Sequence, residues 1–422
     1  MADNKQNKNP NVPNLSFKRE QSETCFDSAE RVINQKQNVP NLRFPEFTED
    51  WVQYKCSDLL EFYSTNSLSW EQLDYDNNDL LNLHYGLIHV GLPTLVNVEQ
   101  HNLPSVKPEF KPKNYTLCKS GDIAFADASE DTNEVAKPIE FYDCSDKQVV
   151  CGLHTIHGRD KLNATEIGFK GYAFSSMPFH HNIRRLAQGS KIYSISSKNF
   201  SEVTIGIPQK EEQRKIVDLL SKLEERITTQ NKIIQQLQSL IKGIYDKVFE
   251  NISDYQKLSS VCTIQKGQQV NGEELSELGD YYVMNGGIEP SGYYDKYNTM
   301  PNTISISEGG NSCGYVQFNT VPFWSGGHCY TLQNIKEGYS NLFLYHYLKA
   351  KEKEIMALRI GSGLPNIQKK DLEKFIVPIL PLETQVGIVD GINKIETKLK
   401  QEKDILSAYQ KQKAYLLRNL FI

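Results

Sequence analysis

No run of eighteen apolar residues occurs in the 422-residue sequence, so a bilayer-spanning helix and the membrane roles that need one are excluded. Basic charge is not in excess: 47 Lys and Arg stand against 52 Asp and Glu, a net charge of −5, and any contact with a polyanion has to be local. The cysteines Cys25, Cys56, Cys118, Cys144, Cys151, Cys262, Cys313 and Cys329 include no CxxC pair, which argues against a disulfide framework and a zinc ribbon and predicts reduced, mostly buried thiols. Also missing are the GxxxxGK[ST] phosphate loop, a GxGxxG after a strand, the HExxH zinc motif, the adenine-methylase NPPY or DPPY motif, and a convincing acidic-and-Lys nuclease site. The strings GGNSCG (309–314) and GSG (361–363) lack the Lys and the spacing for nucleotide phosphates. His180 and His181 are adjacent, which turns their rings apart on most backbones and makes a poor metal site. No catalytic residue and no metal site is therefore expected. The polar start MADNKQNKNPNVPNLSFKRE has no signal-peptide apolar core, which predicts a cytoplasmic chain.

What is present is a repeat. The stretch from Gly189 to Ile227 returns from Gly361 to Leu399, a shift of 172, and the register holds to Phe249 and Phe421. It matches Gly189 with Gly361, Gln213 with Gln385, Ile216 with Ile388, and Glu224 with Glu396. Each copy opens with a Pro (Pro208, Pro381) and acidic residues, then sets apolar residues at alternating spacings of three and four, which predicts a long helix. The first seam runs from Ile216, Leu220, Leu223 and Ile227 to Val248, and the second from Ile388, Ile392, Ile395 and Leu399 to Leu420. An a/d seam of about five heptads needs a partner helix, and each copy can supply the other. The first helix leads from one globule to the next and the second starts from that next globule, so seam-to-seam packing makes the pair antiparallel. Gln230 and Glu402 interrupt the two seams at equivalent positions. They form either a polar pair that fixes register or the edge of the seam.

The segments before the helices read as mixed α/β, rich in short strands such as YTLCKSGDIAFAD (115–127), NTISIS (302–307) and GYVQFNTVPFW (314–324) between Gly, Asn and Ser turns. A helix is expected over Tyr339–Leu358. Weak landmarks also repeat: YKCSDLL (54–60) with QKLSSVC (256–262), and GLH (152–154) with GGH (326–328). The organisation expected is a flexible N-terminal arm (1–45), in which NVPNLSF (11–17) recurs as NVPNLRF (38–44), a first globule (46–207), a long helix (208–250), a second globule (251–379) and a second long helix (380–422). From Ile167 to Ser201 there is no acidic residue, while Lys170, Arg184, Arg185, Lys191 and Lys198 make a basic island beside His180 and His181.

Several motifs carry a resemblance. NGGIEPSGYYDKYN (285–298) with ISISEGGNSCGYVQFNTVPFWSGGHCYTL (304–332), YGLIHVG (85–91), GDIAFADASEDTNEVAKP (121–138), GLHTI (152–156) and the opening VPNLRFPEFTEDW (39–51) resemble the specificity subunits of type I restriction-modification enzymes. The repeated helices match that family's central and C-terminal conserved regions. The extra arm with its second VPNL motif departs from the pattern. The resemblance implies a non-catalytic DNA sequence-recognition subunit in which two strand-rich target recognition domains alternate with two long antiparallel helices about a pseudo-two-fold axis. Each domain would read half of a bipartite, asymmetric site in double-stranded DNA. The helices would set the spacer and dock two methyltransferase subunits, with up to two restriction and motor subunits beyond them. S-adenosylmethionine would belong to the methyltransferase, whose target adenine is flipped into its own pocket, and ATP and Mg to the motor; this chain would bind no cofactor.

Phosphate contacts need cations on adaptable stems and base readout needs planar donors and acceptors on loops. Arg184, Arg185, Lys191 and Lys198 suit the first role in the first globule, and Arg359, Lys369 and Lys370 in the second. For readout the family-like loops offer Tyr85, His89, Ser129 and Glu130, then Tyr293, Tyr294, Asn311, Ser312, Trp324 and His328. The aromatics among them read first as core packing, Trp324 above all. Gln268, Gln269 and Asn271 form a polar loop whose amides suit adenine or simply make a turn. His154 and His328, in matched contexts, read as structural before catalytic. Two rival readings remain: a coiled-coil adaptor that binds polypeptides without DNA specificity, and an enzyme.

Overall fold

The computed structural model describes residues 16–17, 38–250, 252–361 and 363–422. Contacts divide the chain into two units, one holding the described residues up to Thr228 together with Ser407–Ile422, the other Thr229–Leu406.

In the first unit the all-buried run Ile123–Ala126 is the central strand of a five-stranded sheet. Its spatial order is Leu60–Tyr63, Thr155–Asp160, Ile123–Ala126, Pro138–Asp143 and Leu95–Asn97, antiparallel except for the last pair. A smaller sheet joins Val149–Cys151, Leu81–Leu83, Ser105–Val106 and Leu73–Asp74. In the second unit the all-buried Thr303–Ser307 is central to an antiparallel sheet ordered Thr263–Lys266, Cys329–Gln333, Thr303–Ser307 and Val316–Asn319. This is the order of the first four strands of the five-stranded sheet, reached with almost no shared sequence. Each unit also pairs the strand leading into its long helix with one near its own start, Thr204–Ile207 with Val52–Lys55 and Ile376–Pro378 with Tyr255–Lys257.

The long helices span Lys210–Glu250 and Leu382–Asn419. Glu211, Glu212 and Glu383 lie in first turns and Lys247 and Arg418 in last turns, the arrangement that the helix dipole favours. None of the ten seam positions of either helix is exposed. In the first unit Ile216, Leu220 and Leu223, near the start of the first helix, share a core with Leu416, Leu420 and Phe421, at and just past the end of the second. Lys413 pairs with Glu224 there. In the second unit Phe249, at the end of the first helix, shares a core with Val389, near the start of the second. Within each unit, therefore, the two helical segments run antiparallel. In the second unit Nε2 of Gln230 donates to the backbone carbonyl of Glu402 at 3.1 Å and to its carboxylate, which Lys398 also meets.

One echoed residue does the same work twice. Nε2 of Gln213 donates to the carbonyls of Pro208 and Ala164 at 2.8 and 2.9 Å, while Oε1 accepts from the amide of Glu166 at 2.7 Å. Nε2 of Gln385 donates to the carbonyls of Leu380 and Gly338 at 2.8 and 2.9 Å, and its Oε1 accepts from the amide of Ser340 at 2.8 Å. Both glutamines are 0% exposed. Each side chain ties the first turn of a long helix to the strand end before it and to a loop of its own globule. Gly189 and Gly361 also repeat because both backbones turn through positive φ, +144° and +96°, where a side chain is strained.

Three expectations are corrected. The arm assigned to residues 1–45 lies mostly outside the described residues, but its last part belongs to the first core: Leu42 and Phe44 are buried and Arg43 donates to Glu212 at 2.7 and 2.8 Å. The repeated VPNL segments contribute Ser16–Phe17 and Leu42–Arg43, which pair antiparallel. The helix expected over Tyr339–Leu358 is two, Asn341–Ala350 and Glu352–Ala357, parted at Lys351, whose ψ of 13° leaves the helical range. Lys170 leaves the basic island: it is buried, 3.0 Å from the fully buried carboxylate of Glu140.

Replacing Gln213 or Gln385 with Ala removes the side-chain partner of two backbone carbonyls and one amide, most of them partly buried. Each substitution is expected to lower the unfolding free energy by about 2–3 kcal/mol in urea titrations of the full chain. Gln209→Ala, an exposed residue in the same turn, should change it by less than about 0.5 kcal/mol.

Candidate nucleic-acid interface

The two central strands end on an acid, Asp127 after Ile123–Ala126 and Glu308 after Thr303–Ser307. In each globule a histidine at the head of the neighbouring strand faces that acid. Nδ1 of His154 lies 3.1 Å from Oδ1 of Asp127, and Nδ1 of His328 lies 3.3 Å from Oε2 of Glu308. The backbone frame is the same in both. The amide of Asp127 donates to the carbonyl of His154 at 3.1 Å and its carbonyl accepts from Ile195 at 2.9 Å; the amide of Glu308 donates to His328 and its carbonyl accepts from Ile367, both at 2.9 Å. Ile195 and Ile367 are again 172 apart. The frame recurs while its side chains differ, giving two strand-end ledges of one geometry and two chemistries.

On the first ledge the sequence candidates gather. Tyr85 packs edge-on against His154 at 5.2 Å and His89 at 6.0 Å. A ring nitrogen of His89 meets the carbonyl of Ala128 at 2.9 Å, and its Nδ1 lies 3.7 Å from Glu134, which also pairs with Lys137 at 2.6 Å. Ser129 is bridged to Tyr193 and accepts from the amide of Asp131, and Glu130 beside it is exposed. Arg184 donates to Asn133 at 2.7 Å, so its guanidinium sits over the 127–134 loop. Arg185 follows on the same helix, Met177–Leu186, and Lys191 lies in the turn before Tyr193; both are exposed. Lys198 sits elsewhere, on the short helix Ser197–Ser201 near Glu202.

On the second ledge Lys266 and Tyr330 donate to Glu308 at 2.6 and 3.1 Å, and the amide of His328 donates to Asn285 at 3.0 Å. Asn311 and Ser312 occupy the Gly309–Gly314 turn just beyond Glu308, and Cys313 in that turn has Arg359 as a neighbour. Tyr293, Tyr294 and Trp324 form a second group, on a three-stranded sheet with Tyr281–Met284. Tyr294 packs edge-on to Trp324 at 5.0 Å and donates to Glu274, and the Trp324 indole donates to the carbonyl of Gln268 at 2.8 Å. Trp324 is half-buried and Tyr293 is 39% exposed, so neither is closed into the core. Glu274, Tyr293, Tyr294 and Lys296 line an open depression of about 460 Å³. Lys369 and Lys370 lie apart from these groups on the one-turn helix Lys369–Glu373, where Lys369 pairs with Glu373 at 3.8 Å; Lys370 stands 172 residues from Lys198.

The charge of the ledges is tuned locally. Glu134 beside His89 raises the imidazole above its ordinary value, and His89 in turn holds the Glu134 carboxyl down at about 2. Burial pushes the Asp127 carboxyl up despite His154, and burial holds His180 down at about 4. Sequence reading missed Asp127, Asn133, Glu134, Lys266 and Glu308. The signal for two of them was an acid closing a buried strand, followed 27 or 20 residues later by the histidine of GLH or GGH. Among the described residues, the one group of side chains placed to share a metal ion is Cys118, Cys151 and His157, all buried and so off the solvent-facing ledges.

Comparison with known proteins gives a consistent answer. A family model described as the type I restriction modification DNA specificity domain matches residues 145–239 and 253–408, more than half of the chain. A putative type I specificity subunit of Mycoplasma pneumoniae is 30% identical over 166 residues, 39% of this chain and 44% of that one. A putative type I restriction enzyme specificity subunit of Methanocaldococcus jannaschii is 23% identical over 414 residues, 89% of this chain and 95% of that one. The chain spans less than half the length of the two mycoplasma relatives it matches. In fold it is similar to the S subunit of a type I restriction-modification system from M. genitalium, with a TM-score of 0.61 and 20% identity over 91% of this chain and 99% of that one. A chain from a structure of type I system assembly gives 0.54 at 15% identity, over 87% and 96%. No helix among the described residues is long and apolar enough to cross a membrane.

The Glu134–His89 contact predicts a pH window. Glu134 is depressed, so its contribution is full above about 4.5 and lost as pH falls towards about 2; His89 is raised, so its contribution is full below about 6.5 and lost as pH rises through its higher folded value. Thermal melts of wild type and Glu134→Gln should differ most at about pH 5–6 and converge above neutrality, leaving only the Lys137 contact. The gap should be about 1 kcal/mol or less, because Glu134 is partly solvated.

Proposed function

The chain belongs to the type I restriction modification DNA specificity family, and we propose that it is the DNA sequence-recognition subunit of a type I restriction-modification complex. Each globule reads one half of a bipartite, asymmetric site in double-stranded DNA. The carrying observation is the duplicated ledge: one backbone frame, with Asp127, His154, Tyr85 and His89 on the first and Glu308, His328, Lys266 and Asn311 on the second. A shared frame presents both sets to a duplex in the same manner, while unlike side chains select unlike bases. Tyr85, His89, Ser129, Glu130, Asn311, Ser312 and His328 serve readout, with Tyr293, Tyr294 and Trp324 beside them. Arg184, Arg185, Lys191 and Arg359 at the ledges, and Lys198, Lys369 and Lys370 on the one-turn helices at equivalent places in the two globules, meet phosphates.

The long helices keep the half-site spacing and dock two methyltransferase subunits, and Gln230 with Glu402 fixes their register. A buried polar pair on an otherwise apolar seam trades stability for one alignment. Catalysis lies with the partners: S-adenosylmethionine with the methyltransferase, ATP and Mg with the motor subunits. The complex works in the cytoplasm.

Two experiments test this. Methylation mapping of a host carrying the chain with its methyltransferase should return one bipartite methylated motif. Seven-residue insertions at matched levels of both helices should change the spacer and leave both half-sites intact; no motif, or altered half-sites, overturns the proposal. Separately, Arg184→Ala with Arg185→Ala should lower the slope of log affinity against log salt by about 2 in binding titrations of the complex, without changing the motif.

A further inference from the structure

The buried face of the first globule carries a cluster that the reading above does not use. His157 lies on the strand Thr155–Asp160 opposite Ala124, with its side chain 0% exposed. Its Nε2 sits 2.8 Å from Oδ2 of Asp122. Asp122 also accepts from Arg159 Nε and Nη2, each at 2.7 Å, and from the amide of Lys119 at 2.9 Å. With Nε2 held by the carboxylate, Nδ1 is the ring nitrogen left over. That Nδ1 is buried and has no hydrogen-bond partner. Beside the ring, Sγ of Cys118 and Sγ of Cys151 are 3.5 Å apart, and both sulfurs and a ring nitrogen of His157 lie within 4.8 Å of one another.

We propose that Cys118, Cys151 and His157 bind a structural zinc ion. Two sulfurs on one tetrahedral zinc, at bonds of about 2.3 Å, stand about 3.8 Å apart, close to what the two thiols already show; the imidazole needs to close by about an ångström or less. A histidine that donates one ring proton to a carboxylate and offers its other nitrogen to a metal is the arrangement that fixes tautomer and orientation in such sites. Cys144 lies in the same buried cluster as Cys118 and Cys151 but outside the group of ligand atoms within 4.8 Å of one another, so the three named residues are the protein ligands and the fourth position is left to a solvent molecule. The ion would join the turn before the central strand, the second sheet and the histidine strand, beneath the ledge that Asp127 and His154 build. The rival for the same sulfurs is a Cys118–Cys151 disulfide.

The test is elemental analysis of the full chain, purified reduced and without chelator, followed by cobalt titration of the stripped protein. About one zinc per chain is expected, with a cobalt–thiolate charge-transfer band that Cys118→Ala and Cys151→Ala abolish and Cys313→Ala, in the second globule, leaves unchanged. Asp122→Asn acts through the imidazole and should weaken zinc about 10- to 100-fold. Wild type free of zinc and giving no cobalt band, a band that survives both cysteine changes, or a mapped Cys118–Cys151 disulfide in the purified chain would each overturn the proposal. None of these readouts requires a variant to bind DNA.

Discussion

A buried amide decides where each long helix leaves its globule. Gln213 and Gln385 commit both amide protons and the amide oxygen to three backbone groups that a helix start and a neighbouring loop would otherwise leave bare. An unpaired buried carbonyl or amide is expensive, so the exit direction of the helix is coupled to the fold of the globule behind it. A helix of about 60 Å magnifies any angular slack at its root. A root held by three directional bonds keeps that slack small.

Seen this way, the positions that recur at 172 residues are those with a structural assignment to repeat. Gly189 and Gly361 turn through positive φ, Ile195 and Ile367 give their amides to the acid that ends the central strand, the glutamines lock the helix starts, and Gln230 meets its counterpart Glu402. Apart from the histidine facing that acid, the side chains around them on the ledges do not recur. The chain keeps constant what presents a surface and varies what that surface displays.

The helices were legible in the sequence because a seam of seven-residue period, written twice, has few other readings. The matched order of the two main sheets was not, since strand order is settled by long-range pairing and the short runs IAFA and TISIS carry only burial. At the ledges, Tyr85, His89, Ser129 and Glu130 could be read from local motifs, but Asp127 and Glu308 could not, because their histidines arrive 27 and 20 residues later across a sheet. Local charge misled at Lys170: five cations without an acid look like one surface, yet Glu140, thirty residues earlier on a strand of the main sheet, takes one of them inside. Cys118, Cys151 and His157 escaped for the same reason, since their intervals match no motif and only the sheet brings them together.

The first unit is discontinuous: its core includes Leu416, Leu420 and Phe421, which follow the whole of the second unit in the chain. During synthesis the first globule would emerge with Trp51 and Phe169 still lacking the ring of Phe421 that packs against both. Closing that contact joins residues more than 250 apart, an entropically costly and slow kind of step. Until it closes, a nascent chain holds a nearly finished globule with an open apolar seam, and damage near residue 420 would be felt first by the globule that was made first.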